Sequence, residues 1–189
     1  MKTHTLIVIV SLFVFGMGSM MGQHSHENNQ GHKDGMNATE TPEAFQKQLK
    51  EVVNEYLVLK DAFVASNEAD AEAAATKTLA ALDKVEMGLL KGDAHMEWMG
   101  QLKLIKSNLN GIVQMKGIEM KRSHFTSVSE NLSAAIESFG VENEETIYLA
   151  YCPMANNREG AYWLSGEKEI RNPYFGDKML KCGSVKKEF

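Results

Sequence analysis

The sequence predicts an all-α protein: an up-down four-helix bundle carrying a small irregular C-terminal cap that bears both cysteines. Three observations point there. Between Pro42 and Gly140, apolar residues recur at alternating steps of three and four in four separate segments. The breaks between those segments are short and rich in Gly, Asn and Asp. After Gly140 the periodicity stops, and aromatic residues, turn pairs and the cysteines take over.

The first segment begins at Pro42, which suits the first turn of a helix with Thr41 as its N-cap. Its stripe is Phe45, Leu49, Val52, Tyr56, Leu59 and Phe63, and Ser66-Asn67-Glu68 ends it. Asp70 can cap the second segment, whose stripe runs Ala75, Leu79, Leu82, Val85 and Leu89. Lys91-Gly92-Asp93 breaks the chain again. Trp98, Leu102, Ile105, Leu109 and Ile112 form the third stripe. After Gly117 come Ile118, Phe125, Val128, Leu132, Ala135 and Phe139, with Gly140 as the C-terminal stop. Four such segments with short connections imply an up-down bundle over residues 42–140, with shallow crossing angles.

Residues 141–189 read as the cap. Thr146 to Tyr151 is a short extended segment. Asn156-Asn157 and Asn172-Pro173 mark turns, and Ser184 to Phe189 is a charged end.

The N-terminus reads as a secretory signal over residues 1–18. Lys2 is followed by an apolar run from Thr5 to Phe15, with cleavage expected after Gly18 or, second, after Gly22. The run is short for a bilayer span, so no stable membrane insertion is expected once it is cleaved. The expected location is the periplasm or the secreted fraction, where disulfides are permitted. The polar segment 19–41 reads as a flexible tail, with His24, His26, His32 and Met36 as loose secondary metal candidates.

Of 189 residues, 43% are hydrophobic and 24% charged, which excludes a wholly disordered chain and a polytopic membrane protein. The net charge of −5 argues against sequence-independent nucleic-acid binding, which needs a basic face. There is no C-x-x-C-H, no E-x-x-H helix pair, no H-E-x-x-H, no G-x-S-x-G and no Gly-rich phosphate loop. No enzymatic activity is expected. His95 and His124 read as surface or satisfied residues. Met87, Met96, Met99, Met115 and Met120 read as helix packing, with Met96 and Met99 beside His95 as the exception worth testing.

The chemistry concentrates near the C-terminus. Cys152 and Met154 are two apart, so an extended chain would point both to one side. Met179 and Cys182 are three apart and converge if that stretch turns. Four sulfur groups meeting would select Cu(I) or Ag(I). Tyr151, Trp163 and Tyr174 are candidate shielding aromatics, with Tyr148 and Tyr162 beside them. The alternative is a Cys152–Cys182 disulfide. Closing a loop of that size is worth roughly 3.5–4 kcal/mol in the chain-entropy view. Spacing leaves both readings open.

Three runs carry a resemblance: Tyr151-Cys152-Pro153-Met154-Ala155, Gly160-Ala161-Tyr162-Trp163-Leu164-Ser165, and Ile170 to Gly183 with its Asn172-Pro173-Tyr174-Phe175-Gly176 core. Over about residues 42–187 the chain resembles a bacterial domain family of unknown function. That domain occurs as a C-terminal extension of periplasmic adaptor subunits of copper/silver efflux pumps, and as standalone secreted proteins. Arg122-Ser123-His124-Phe125 fits its helical part. The resemblance implies a helical bundle with a Cys/Met-bearing cap in a heavy-metal setting. The expected function is periplasmic Cu(I)/Ag(I) binding or handling, with an efflux-pump adaptor or another envelope protein as partner. The alternative is a metal-free interaction module closed by a structural Cys152–Cys182 disulfide.

Overall fold

The structure is a computed structural model, and it describes residues 41–142 and 145–189. The leader and the tail up to residue 40, with His24, His26, His32 and Met36, lie outside the described residues. Four long helices form the body: α1 (Glu43–Val64), α2 (Glu68–Leu82), α3 (Gly92–Gln114) and α4 (Ile118–Phe139). Consecutive helices pack on one another, and α4 returns to α1. No helix among the described residues is long and apolar enough to cross a membrane.

The stripes bury as a 3.5-residue repeat demands. Phe45, Leu49, Val52, Tyr56, Leu59 and Phe63 are fully buried, as are Trp98, Ile105, Leu109 and Ile112 opposite them. At one end Phe45 meets Trp98 edge-on at 5.2 Å and Phe139 at 5.4 Å. At the other, Phe125 stacks on Tyr56 at 5.4 Å and touches Phe63 at 4.6 Å.

The helix ends differ from expectation at three places. Pro42 is itself the cap residue of α1, and Glu43 opens the helix. Asn67, not Asp70, caps α2: its side-chain oxygen accepts the Asp70 N–H at 3.2 Å. That is the ordinary bond of an Asx cap to the third residue of a helix. Finally, α2 stops at Leu82. Val85 falls in a turn and Leu89 in a 3-10 turn at Met87–Leu89, so the second stripe outlasts its helix.

The cap is not irregular, and the fold is not strictly all-α. Three strands, β1 (Tyr148–Cys152), β2 (Ala161–Ser165) and β3 (Ser184–Glu188), form an antiparallel sheet in the order β2-β1-β3. Tyr148 faces Ser165 on one side and Glu188 on the other. The charged end expected at Ser184–Phe189 is thus an edge strand, and its lysines suit an edge that must not recruit other chains. β2 packs on α4 and α1. Buried Tyr56 joins the layers: its hydroxyl lies 2.7 Å from Ser129 Oγ and accepts the Leu164 N–H at 3.2 Å.

Two adjacent cations close the open ends of other helices. Lys121, fully buried, donates to the Ile112 carbonyl at 2.6 Å and to that of Met115, finishing α3, and pairs with Glu72 at 2.7 Å. Arg122 donates to the Phe63 carbonyl at 3.1 Å, to Ser66 Oγ at 2.8 Å and to the Pro173 carbonyl at 2.9 Å. One guanidinium therefore ties α4 to the end of α1 and to the cap, adding a second donor to the Phe63 carbonyl beside the Ser66 N–H.

Candidate functional site

Cys152 and Cys182 come together where the sheet meets the bundle. Cys152 is the last residue of β1, opposite Ala161, and is fully buried. Cys182 lies two residues before β3 and is half-buried. Their sulfur atoms are 2.7 Å apart, and both are present as free cysteines.

Cys182 is held by its backbone. Its N–H donates to the Met179 carbonyl at 3.0 Å, and its own carbonyl accepts the Asn172 side-chain amide at 2.8 Å. Asn172 is fully buried and fully engaged. Its side-chain oxygen accepts the Tyr174 N–H at 2.8 Å, and its backbone bonds Leu180 at 2.9 Å and Gly176 at 3.0 Å. Gly183 follows with φ of 136°, a conformation suited to glycine. A Cβ there would lie 2.8 Å from Trp163 Cη2 and 2.9 Å from the Tyr151 carbonyl oxygen. The expected aromatics therefore have distinct places. Trp163 is buried and closes over the Cys182-Gly183 step, and it meets Tyr174 edge-on at 6.0 Å. Tyr174 continues the ring chain to Phe125 at 5.7 Å. Tyr151 is half-buried against Tyr162 at 4.6 Å.

The methionines do not follow the expected geometry. β1 ends at Cys152, and Met154 has a helical backbone (φ −90°, ψ −13°), so the alternation that would align it with Cys152 is lost at Pro153. Met154 is 39% exposed and lines a groove of about 380 Å³ with Met120, Thr126, Asn156 and Phe175. Met179 is half-buried at the end of a 3-10 turn (Gly176–Lys178), and the groove lining does not include it.

The helix-packing reading of the other methionines fails outright. Met87, Met96, Met99, Met115 and Met120 are 41%, 69%, 36%, 41% and 56% exposed. The heptad stripes are filled by Leu, Ile, Val and aromatic residues, which leaves these thioethers outside the core. His95 bonds the Met87 carbonyl at 3.1 Å and His124 bonds Asn108 at 3.0 Å, as expected of satisfied histidines.

After Met154 the chain does something costly. Asn156, Asn157 and Arg158 are all left-handed, with φ of 49°, 55° and 74°. Each such residue costs roughly 1–2 kcal/mol outside glycine, somewhat less for asparagine. The turn is held by Gly160 N–H to the Ala155 carbonyl at 3.0 Å and by Asn156 to Glu159 at 2.9 Å. Beyond it, a Cβ on Gly160 would overlap the Tyr151 hydroxyl.

The hydrogen bond with Cys152, followed by burial, pushes the Cys182 thiol up to about 11, against a smaller downward pull from the Met154 N–H. The thiolate is the reactive form. In phosphine-reduced, metal-free protein, iodoacetamide is therefore expected to label Cys182 slowly at about pH 8, with the rate still rising towards about pH 11. A rate that is half-maximal at about pH 8.5, as for a free thiol, would contradict this. Among the described residues no group of three or more His, Cys, Asp or Glu could hold a metal ion. An ion at the cysteines would thus depend on sulfur.

Residues 52–144 match the family described as Protein of unknown function (DUF3347). That stretch is a domain of unknown function. It runs from mid-α1 through α4 and stops before β1, so the cysteine-bearing sheet lies beyond the matched residues. No curated protein and no solved structure matches the chain.

Sequence reasoning missed Asn172, Arg122 and Met120 as parts of this region. Asn172-Pro173 was legible as a turn, and Arg122 stood within the Arg-Ser-His-Phe run. Neither pattern announces a buried side-chain network, and Met120 is an ordinary helical methionine until its exposure is known.

Proposed function

We propose that the protein is an exported, non-enzymatic metal-handling protein. In it the reduced Cys152/Cys182 pair takes Cu(I) or Ag(I) and yields it to an envelope partner such as the adaptor of a heavy-metal efflux pump. The observation that carries this reading is the meeting of two thiols 30 residues apart in sequence at one partly open point of the cap. Soft sulfur donors favour these ions over harder ones. Export rests on the leader at residues 1–18, and the heavy-metal setting on the resemblance of the cap motifs. The thiols must separate and lose protons to admit an ion, so affinity rises with pH.

The same distance favours a second reading. Sulfur atoms 2.7 Å apart need only a small shift to bond, and an oxidising compartment would close them. The protein would then be a disulfide-stapled interaction module.

Titration of reduced protein with Cu(I) against a chromophoric chelator tests the first reading. One tightly held Cu(I) per chain is expected, lost in Cys152→Ser and in Cys182→Ser while the helical circular-dichroism signal persists. Unchanged binding after loss of both cysteines, or no binding at all, overturns it. Protein isolated without reductant that has no free thiols and no metal supports the second reading.

A further inference from the structure

We infer that Met120 and Met154 form a second soft-cation site, an outer station from which Cu(I) or Ag(I) passes to the cysteine pair; this rests on the metal-handling reading above. Both residues line one groove, between the first turn of α4 and the turn that follows Met154. Both are exposed, at 56% and 39%, and so are open to an ion from solvent. Thioethers are neutral, soft ligands, suited to a monovalent soft ion.

Met154 joins the two places. It lines the groove, and it stands two residues after Cys152, the last residue of β1. The three left-handed residues after it hold the chain in that course at an energetic cost, as is common where a site needs a fixed geometry. The two charged residues of the lining offset one another, and Glu119 is shared with exposed Lys178 at 3.4 Å. Arg122 is spent on the Phe63 and Pro173 carbonyls, and Glu119, also on the lining, pairs with it at 3.0 Å. Transfer needs no redox step. The ion leaves the thioethers and binds thiolate, and the displaced thiol protons go to water.

The test uses the full chain with 13C-labelled methionine methyls and silver nitrate, followed by NMR. In the Cys152→Ser/Cys182→Ser protein, the Met120 and Met154 methyls are expected to shift together and saturate at one Ag(I) per chain. Met87 and Met96, exposed at 41% and 69% and outside the groove lining, should not move at that ratio. Met120→Leu should weaken Ag(I) binding at least about tenfold, since even loss of an orienting partner typically costs that much. If the double variant does not fold, reduced wild-type protein is taken past its first equivalent, and the second equivalent must move the same two methyls. Equal shifts at every exposed methionine, or a Met154 shift indifferent to Met120→Leu, overturns the inference. Cysteine-dependent binding of the first ion without any methionine response overturns this site alone and leaves the metal-handling reading standing.

Discussion

Arg122→Ala is expected to destabilise the protein by about 2–3 kcal/mol, a large part of the margin of a small domain. The guanidinium is 5% exposed and donates to two buried carbonyls, Phe63 and Pro173, and to Ser66. Alanine leaves the Pro173 carbonyl without a donor, at about 1–3 kcal/mol, and leaves the Phe63 carbonyl with the Ser66 N–H alone. Part of that is offset because a buried charge disappears. Burial already works against the charged form, holding the Arg122 group below its usual range, with Glu119 opposing. Arg122→Lys should recover less than half, since one ammonium cannot span acceptors on α1 and on the cap that a planar fork reaches. Urea unfolding followed by circular dichroism measures the loss, and Trp163 fluorescence reports whether the sheet detaches first. A loss under about 1 kcal/mol would mean that water replaces the guanidinium at little cost.

The second large effect is expected at Asn172. Asn172→Ala removes the donor to the Cys182 carbonyl and the acceptor for the Tyr174 N–H, both inside the protein. A loss of about 2–4 kcal/mol follows from two unsatisfied groups. The informative readout is chemical. With its carbonyl released, Cys182 should leave its place against Cys152, and alkylation at neutral pH should quicken. Asn172→Asp is a sharper control. It keeps an acceptor for Tyr174 but loses the donor to Cys182 and buries a charge, so it should be no better than alanine. Unfolding at unchanged thiol reactivity would show that Asn172 stabilises the cap without positioning the cysteine.

Sequence periodicity was a good guide to the bundle because its information is local. Phe45 to Phe63 declares a helix face by spacing alone, whatever packs on it. The stop at Leu82 was not legible. Val85 and Leu89 continue the apolar step, and their burial comes from a turn and a 3-10 segment rather than from helix. The sheet was half legible. Thr146–Tyr151 reads as extended, but Ser184–Glu188 is polar and becomes a strand only because β1 offers it an open edge.

The sequence by itself determined four amphipathic helices, a distinct cysteine-bearing cap and the two residues whose sulfur chemistry matters most. Tertiary structure alone decided that Cys152 and Cys182 meet, and that Met154 lines a groove together with Met120. It also decided that the helical methionines are exposed, and that Arg122 and Asn172 hold the cap in place. The physical reason is range. Helix formation follows from spacing over a few residues, whereas exposure and hydrogen-bond partnership depend on neighbours far away along the chain, such as the 51 positions between Arg122 and Pro173.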